Sequence, residues 1–410
     1  MDSMLLLFLM AQLCPQHIRV IYINHQLQQG SEQWGDLVQQ QCAILNIPCI
    51  VEAVDVAAGN LEQQARAARY QAYQKHIQSH EVLVLGHHQQ DQAETVMLRL
   101  LSGAGVSGLS AMKRIDSRDG YQVWRPLLEL SREQICQWAE QMQLQYVNDP
   151  SNADIHYDRA WCREQLWPVL QQRYPKMQVA INRSSELMQD ADQILQEVVQ
   201  LDLSHCGNHQ QLHLTALAEL SEARRRQLLS VWMKGDAQYR PAFDMIQRLQ
   251  DEVIAAKSDA QAALHSNGYY FVRYQQVLYR LEKQFYLAHK QVLDLQPTCL
   301  SIDRRSPVQL DAGLFEVRQV ATGLAWDLLE QKLDLQRRMG GEKIHLYGRV
   351  GAWPLKKALQ QAQIFPWLRH TIQILSIDNV MLGVFTPKGF WLAQSDYCVT
   401  DGWLPNLISP

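Results

Sequence analysis

The 410-residue sequence predicts an α/β fold, a doubly wound parallel sheet followed by a helical middle domain and a small mixed α+β C-terminal domain. Three observations predict it. From residue 18 to about 126, short β-rich runs alternate with helical patterns. Those strand runs are continuously apolar, as strands buried on both faces are, rather than alternating. The segment richest in chemistry, Gly86 to Thr95, follows a strand run and opens a helical one, where open parallel sheets place their ligands.

In order, Met4 to Leu13 reads as an apolar helix opened by Asp2-Ser3, with no strand run ahead of it. Ile18 to Ile23 reads as a buried strand, Trp34 to Leu45 as a helix and Cys49 to Val54 as the next strand. Asn60 to about Ser79 is a helix with Asn60 as cap and Gln63 at the reciprocal capping position. Val82 to Leu85 is a third strand, Gln89 to Leu101 a helix and Gln122 to Trp124 a fourth strand. Ser131 starts another helix, boxed with Gln134, and residues 148–152 form a polar turn. A mostly helical stretch then runs from Tyr157 through Trp232, with a boundary near Gly207. Strand-like sequence returns at Tyr269 to Leu281, and a mixed segment follows the loop around Pro297 to Pro307. The expected domains are residues 1–205, 206–290 and 308–400.

Composition narrows the class. Net charge is −4 and 47% of residues are apolar, so nucleic-acid contact must come from local basic patches. The eight cysteines contain no Cys-x-x-Cys pair, which suits free thiols in a reducing cytoplasm rather than a zinc ribbon or a thiol relay. Leu5 to Met10 is apolar and Cys14 lies near it, but Asp2 stands where a signal peptide carries Lys or Arg. No segment approaches the roughly 20 apolar residues of a membrane span.

At roughly 100° per residue, His87, Asp91 and Glu94 fall within one stripe, with Ala93, Val96, Met97, Leu100 and Leu101 opposite. Two carboxylates and an imidazole there could hold Mg²⁺, fix an ammonium group or move a proton; a solvated helix face is the plain alternative. Gly103, Gly105 and Gly108 spell G-x-G-x-x-G, but after a helix instead of a strand, so the dinucleotide reading fails. A flexible loop over a nucleotide or RNA pocket and a helix-ending turn both fit. Leu61, Ala65, Ala68 and Ala72 form a small-residue face that leaves Arg66 and Arg69 for phosphates or for surface ion pairs. Asn24 and His25 follow the first strand at a ligand-bearing edge. Arg224-Arg225-Arg226 is one basic patch, and Arg337, Arg338, Lys343, Arg349, Lys356, Lys357 and Arg369 form another, interleaved with Trp353 and Trp367. Either suits RNA or a solvated charged face.

With these pieces in order, the chain resembles the tRNA(Ile)-lysidine synthetase family of the N-type ATP-pyrophosphatase (PP-loop) group. The matching segments are Met1-Asp2-Ser3, Asn24 to Leu27, Asn60 to Tyr70, Gly86 to Leu109, Arg125 to Leu128, and Asp149 to Asn152 with Tyr157 and Arg159. Arg338 to Glu342, Leu355-Lys356-Lys357 and Pro366 to Arg369 are similar to the family's tRNA-binding end domain. The order of motifs is specific, although each short piece is not.

The resemblance implies an adenine nucleotide alpha hydrolase-like fold and a ligase that joins free L-lysine to C2 of the wobble cytidine, position 34, of an isoleucine tRNA with a CAU anticodon. ATP is the co-substrate and the intermediate is an adenylated tRNA; codon reading changes from AUG to AUA. Asp2 and Ser3 fall to the pyrophosphate and metal end, with Asn24, His25, Arg66 and Gly86 completing the ATP site. Asp2, His87, Asp91 and Glu94 are the catalytic candidates, and Asp2 and Asp91 the Mg²⁺ ligands. Arg125, Arg159, Arg224, Arg225, Arg338, Lys356, Lys357 and Arg369 are the tRNA contacts, in a cytoplasmic enzyme that is free of the membrane and for which a homodimer is left open.

The alternatives are a tRNA 2-thiolation enzyme, which would typically pair its cysteines, and a non-catalytic RNA-binding remnant. The family's loop carries Ser-Gly-Gly, and a central strand ahead of it, before the residue matching Met1. A start upstream of Met1 is therefore the expectation, since a sheet lacking that strand leaves ladder groups unpaired at about 1–3 kcal/mol each where buried. The 410-residue chain by itself is expected to be a weak ATPase, which wild-type-level lysine ligation by that purified chain would refute.

Overall fold

The computed structural model describes residues 1–28, 30–57, 61–118, 120–147, 149–237, 239–257, 262–288 and 298–409. The expected Asn60 cap lies outside them, as do Asn148 and the side chain of Gln63. The chain divides into two units, Met1–Glu197 and Val198–Pro410.

The first unit begins with helix α1 (Asp2–Leu13), followed by β1 (Val20–Asn24), α2 (Ser31–Ile44), β2 (Cys49–Ala53), α3 (Leu61–His76) and β3 (Val82–Val84). Then come α4 (Gln89–Leu101), α5 (Val106–Leu109), β4 (Ile115–Arg118), β5 (Tyr121–Trp124), α6 (Arg132–Gln141), α7 (Asp158–Trp161), α8 (Trp167–Arg173) and α9 (Met177–Cys206). Helix α1 is apolar all round because it is covered on two sides. Leu5 and Leu6 pack with Leu127 and Ile135, while Leu7 packs with Cys42 and Ile47. The Ser131 box forms as expected: Ser131 Oγ accepts from Gln134 N at 3.2 Å and Gln134 Oε1 accepts from Ser131 N at 2.9 Å.

The α/β alternation is present, but the sheet comes in two pieces. β1 pairs in parallel with β2, from Val20 opposite Cys49 to Asn24 opposite Ala53. β3 pairs in parallel with β5, and β5 carries β4 as an antiparallel hairpin partner that the sequence reading did not anticipate. Among the described residues no strand joins β1 to β3; instead both line one cavity of about 1520 Å³. An ion pair ties the starts of the two strands. Arg19 Nε donates to Glu81 Oε1 at 2.7 Å, and Arg19 Nη2 donates to Glu81 Oε2 and to the His76 carbonyl, each at 2.5 Å.

The G-x-G-x-x-G segment resolves as a helix-ending turn fastened down. Gly103 takes a left-handed φ of 76° just past α4, and α5 follows. Ser107 donates to Asp192 on α9, Ser185 Oγ donates to the Ser110 carbonyl at 3.0 Å, and Gln189 Nε2 donates to the same carbonyl at 2.9 Å. A loop held this way costs several hydrogen bonds to lift, which removes the flexible-loop reading.

In the second unit, helices Leu214–Glu219, Glu222–Lys234 and Phe243–Arg248 pack with a four-stranded antiparallel sheet built from Gln211–His213, Val277–Glu282, Tyr269–Tyr274 and Ala263–Ser266. Leu228, Leu229, Trp232, Met233, Phe271 and Leu278 fill its core. A five-stranded antiparallel sheet includes Leu333–Arg337, Gln373–Ile377 and Val380–Thr386, and a second sheet is built on Gly313–Leu324. Tyr279 meets Trp367 edge-on, ring centroids 5.1 Å apart, so the two parts of this unit share an aromatic seam. Among the described residues no helix is long and apolar enough to cross a membrane.

The Arg19 guanidinium hydrogen-bonded to Glu81 holds that carboxyl down at about 2. A carboxylate with a depressed folded-state pKa stabilises above its ordinary value of 4.5 and loses that contribution as pH falls toward 2. Glu81→Gln is expected to lower the urea midpoint at pH 7, and the gap to wild type should close progressively below pH 4.5.

Candidate active site

The candidate site lies where β3 gives way to α4. A Cβ placed on Gly86 would stand 3.2 Å from the carbonyl carbon and oxygen of Asp2 and from Ser3 N. Such contact is tighter than ordinary side-chain packing, so glycine lets the β3–α4 connection pass directly against the start of α1. Two helix N-termini therefore open side by side. In α1 the first intrahelical bonds run from Met4 N and Leu5 N to the Met1 carbonyl, at 2.9 and 3.0 Å. The preceding amides of Asp2 and Ser3 sit at the positive end of the helix dipole, and Ser3 lines the cavity.

Five arginines line the same cavity, Arg19, Arg66, Arg69, Arg159 and Arg163, together with the acidic Glu81, Asp91 and Asp149. Arg66 Nη2 donates to Tyr70 Oη at 3.3 Å, and its burial pulls its pKa down. Arg69 Nε donates to His25 Nε2 at 3.3 Å, which requires a neutral imidazole; burial, together with Arg69, lowers His25 to about 4. Arg159 Nη2 donates to Thr95 Oγ1 at 3.2 Å. Asn24 is a turn former, its Oδ1 accepting from Gln26 N at 2.9 Å where Gln26 takes φ 56°.

The expected trio of His87, Asp91 and Glu94 divides into three jobs. Glu94 is fully buried, and both of its oxygens accept from Arg163 at 2.9 Å while Gln90 Nε2 adds a further bond at 2.9 Å. Its carboxylate is thus engaged by Arg163 and Gln90, and Glu94 is not among the residues that line the cavity. Asp91 lines the cavity, and one of its oxygens accepts from His88 N at 3.0 Å as half of the α4 capping box. His87 is half-buried, with Nδ1 itself covered, and is driven down to about 3 by desolvation first and then by Arg125, Arg159 and Arg66, against the opposing field of Asp91. It is uncharged at neutral pH, and among the described residues its Nδ1 has no partner.

Asp2 Oδ1 is likewise buried and unpaired among the described residues. Asp2 and Asp91 both act on Arg163, whose pKa is raised by its bond to Glu94 and by these carboxylates despite its burial. No group of three or more metal-ligating side chains occurs among the described residues. Two carboxylates still suit Mg²⁺, which commonly takes one or two protein carboxylates and completes its shell with phosphate oxygens and water.

The expected RNA contacts fare unevenly. Lys356 and Lys357 are exposed on the helix Leu355–Gln361. Arg125 is buried, with Nη1 donating to the Lys113 carbonyl at 2.6 Å, so it braces the β5 end instead of facing RNA. Arg224 is held by the buried Asp202, and Arg225 Nε donates to Gln250 Oε1 at 3.2 Å. Arg338 lies 3.4 Å from Glu342, and Arg369, its pKa lowered by burial, donates to the Ile364 carbonyl at 3.3 Å. Arg224 keeps half of its side chain exposed beside Asp202, while Arg225, Arg338 and Arg369 are partly covered.

Arg163 is the functional candidate that sequence reasoning missed. It lies one turn beyond Arg159, inside a π-helical segment, Cys162–Leu166, between α7 and α8. Such one-residue expansions recur at functional sites. The i, i+4 spacing of the two arginines was the available signal.

This arrangement defines a class, an α/β nucleotide-binding protein with an anion cradle at the ends of its parallel strands. Residues 1–170 match the family described as PP-loop domain, 212–279 the TilS substrate binding domain, and 333–396 the TilS substrate C-terminal domain. A tRNA(Ile)-lysidine synthase of Acinetobacter baylyi is 59% identical over 409 residues, covering 100% of this chain and 89% of that protein. That of Shigella flexneri is 32% identical, covering 99% and 95%. The chain belongs to the tRNA(Ile)-lysidine synthase family. A solved U34-tRNA thiolase of Methanococcus maripaludis aligns at TM-score 0.38 and 17% identity, covering 46% of this chain and 68% of that one.

Removing the partner of a buried ion costs roughly 3 kcal/mol or more, because the remaining charge is stranded. Glu94→Gln is expected to lose about that much in urea denaturation. Glu94→Leu combined with Arg163→Met should recover much of the stability in the same measurement.

Proposed function

We propose that this chain catalyses ATP-dependent attachment of lysine to C2 of the wobble cytidine in the CAU anticodon of an isoleucine tRNA. The observation that carries the reading is one cavity lined by Arg66, Arg69, Arg159 and Arg163 among five arginines, and by a helix N-terminus, at the strand ends of a chain 59% identical to a lysidine synthase. That cavity suits the triphosphate of ATP: Arg66, Arg69, Arg159 and Arg163 offset its charge, and the Asp2 and Ser3 amides meet the phosphate oxygens.

The chemistry has two stages. The C2 carbonyl oxygen of the cytidine attacks the α-phosphorus of ATP, and the α–β bridging oxygen leaves with pyrophosphate. The lysine ε-amine, having given up a proton, then attacks C2, and AMP departs with the oxygen. In both stages negative charge builds on phosphate oxygens, which the fixed arginines stabilise without reorganising. Asp2 and Asp91 would hold Mg²⁺, which screens the triphosphate and favours pyrophosphate as a leaving group. Asp91 and Asp149 both line the cavity, and a carboxylate there not engaged by Mg²⁺ would attract a lysine ammonium. His87, uncharged beside Asp91 and with Nδ1 unpaired among the described residues, would accept a hydrogen bond from the incoming amine. Lys356 and Lys357 supply exposed charge for tRNA phosphates.

Two measurements test this. Depleting the protein in cells should remove lysidine from the isoleucine tRNA anticodon, read by nucleoside mass spectrometry, and re-expressed Asp91→Asn should fail to restore it; persistence of lysidine after depletion ends the proposal. Arg66→Ala should weaken ATP binding on the order of tenfold, about 1.4 kcal/mol, with the urea midpoint little changed. Unaltered ATP affinity would remove the arginines from the phosphate site.

A further inference from the structure

Behind Arg66 stands a second layer of residues. Arg66 lines the cavity, whereas Tyr70, one turn further along α3, and Arg118, at the end of β4, are not among its lining residues. Tyr70 is buried and packs with Leu83, Tyr121 and Val123. Arg66 Nη2 donates to Tyr70 Oη at 3.3 Å, and its guanidinium carbon lies 5.0 Å from the ring centroid. The Arg118 guanidinium sits over the same ring at 3.7 Å, in van der Waals contact. Arg118 and Tyr121 face each other as the last register pair of the β4–β5 hairpin. The hairpin end therefore meets Tyr70 twice, through the Arg118 guanidinium and through the Tyr121 ring. Core filling alone does not ask for this. Among the groups acting on Arg66, burial first lowers its pKa; Tyr70 then favours its charge, while Arg159, Arg118 and Arg69 oppose it. A ring that only filled space would need neither the hydroxyl nor two mutually repelling cations beside it.

We propose that Tyr70 is a positioning residue of the phosphate site: braced by Arg118 and Tyr121, it holds the Arg66 guanidinium in one orientation in the cavity. The inference rests on the reading of Arg66 as a phosphate ligand given above. Its physical reason is entropy. An arginine free to turn about its side-chain bonds loses that freedom when it grips a phosphate, and the loss weakens binding. A guanidinium already fixed by a hydrogen bond to a buried hydroxyl, and by a ring beneath it, loses less. Neither Tyr70 nor Arg118 need touch the nucleotide; both act through Arg66. The short strand β4 thereby gains a task in the site, since it carries the cation that presses on the ring.

Calorimetric titration of the full chain with ATP, and separately with adenosine, is the test. Tyr70→Phe keeps the ring and removes only the hydroxyl, so it should weaken ATP binding roughly fivefold and leave adenosine binding unchanged. On an Arg66→Ala background the same substitution should cost nothing further, because the hydroxyl then has no guanidinium to hold. Arg118→Ala should weaken ATP binding about threefold in the wild-type chain and, again, not at all in Arg66→Ala. Equal losses for ATP and adenosine would make Tyr70 a purely structural residue and overturn the proposal. So would effects that add to that of Arg66→Ala, or a Tyr70→Phe protein that binds ATP as wild type does while Arg66→Ala does not. If Arg66→Ala itself binds ATP normally, the phosphate-site reading falls and this proposal falls with it.

Discussion

The passage of Gly86 against the backbone of Asp2 and Ser3 is the constraint on which the candidate site rests. Because no side chain intervenes, the N-terminal turn of α1 and the capping box of α4 open toward the same space. The α1 end contributes amides that lie ahead of its first intrahelical bond, whereas the first amides of α4 are taken up by its capping box and by the Leu130 carbonyl; both ends present the positive pole of a helix dipole. Arginines of α3 and of the α7 region line the same cavity as Ser3 and Asp91. The sheet's contribution is to set the height of these elements, and the glycine's is to let them meet.

A cluster of cations in a partly buried cavity repels itself, and the surrounding residues limit that cost. Arg163 is held by a fully buried carboxylate, and the fields of Asp91 and Asp2 also reach it. Arg69 leans on an imidazole that burial keeps neutral, so His25 accepts a hydrogen bond without adding charge. Arg66 pays part of its desolvation through Tyr70, which lies under its guanidinium at 5.0 Å as well as accepting its hydrogen bond. These cations are thus held by neighbouring side chains within the cavity, and fixed charges of this kind are what the proposed reaction would draw on.

Much of this was legible in the sequence. Helix α4 begins and ends where the pattern places it, the Ser131 box forms, and β1, β2, β3 and β5 fall within a few residues of the apolar runs. These are local signals, set by caps and apolar continuity. Pairing was less legible: β4 has mixed polarity, so only its hydrogen bonds to β5 reveal it as a strand. The stripe of His87, Asp91 and Glu94 had the right periodicity but gave no means of telling which carboxylate meets a counter-charge from a distant helix. Glu94 and Arg163 lie 69 residues apart in sequence, and nothing at either position announces the other. The same limit applies to Arg125, Arg224 and Arg369, which look like free cations until their buried acceptors are placed beside them.

The π-helical segment Cys162–Leu166 has a consequence for the length of the chain. It holds one residue more per turn than the α-helices on either side, which turns everything after it by roughly 100°. Arg159 before it and Trp167 after it both depend on that offset, the one reaching Thr95 and the other filling a core beside Ala93. Losing a single residue there would straighten the rod and swing the indole away from its bed. An indel at this point is therefore far less tolerable than one in a surface loop, whatever amino acids are involved.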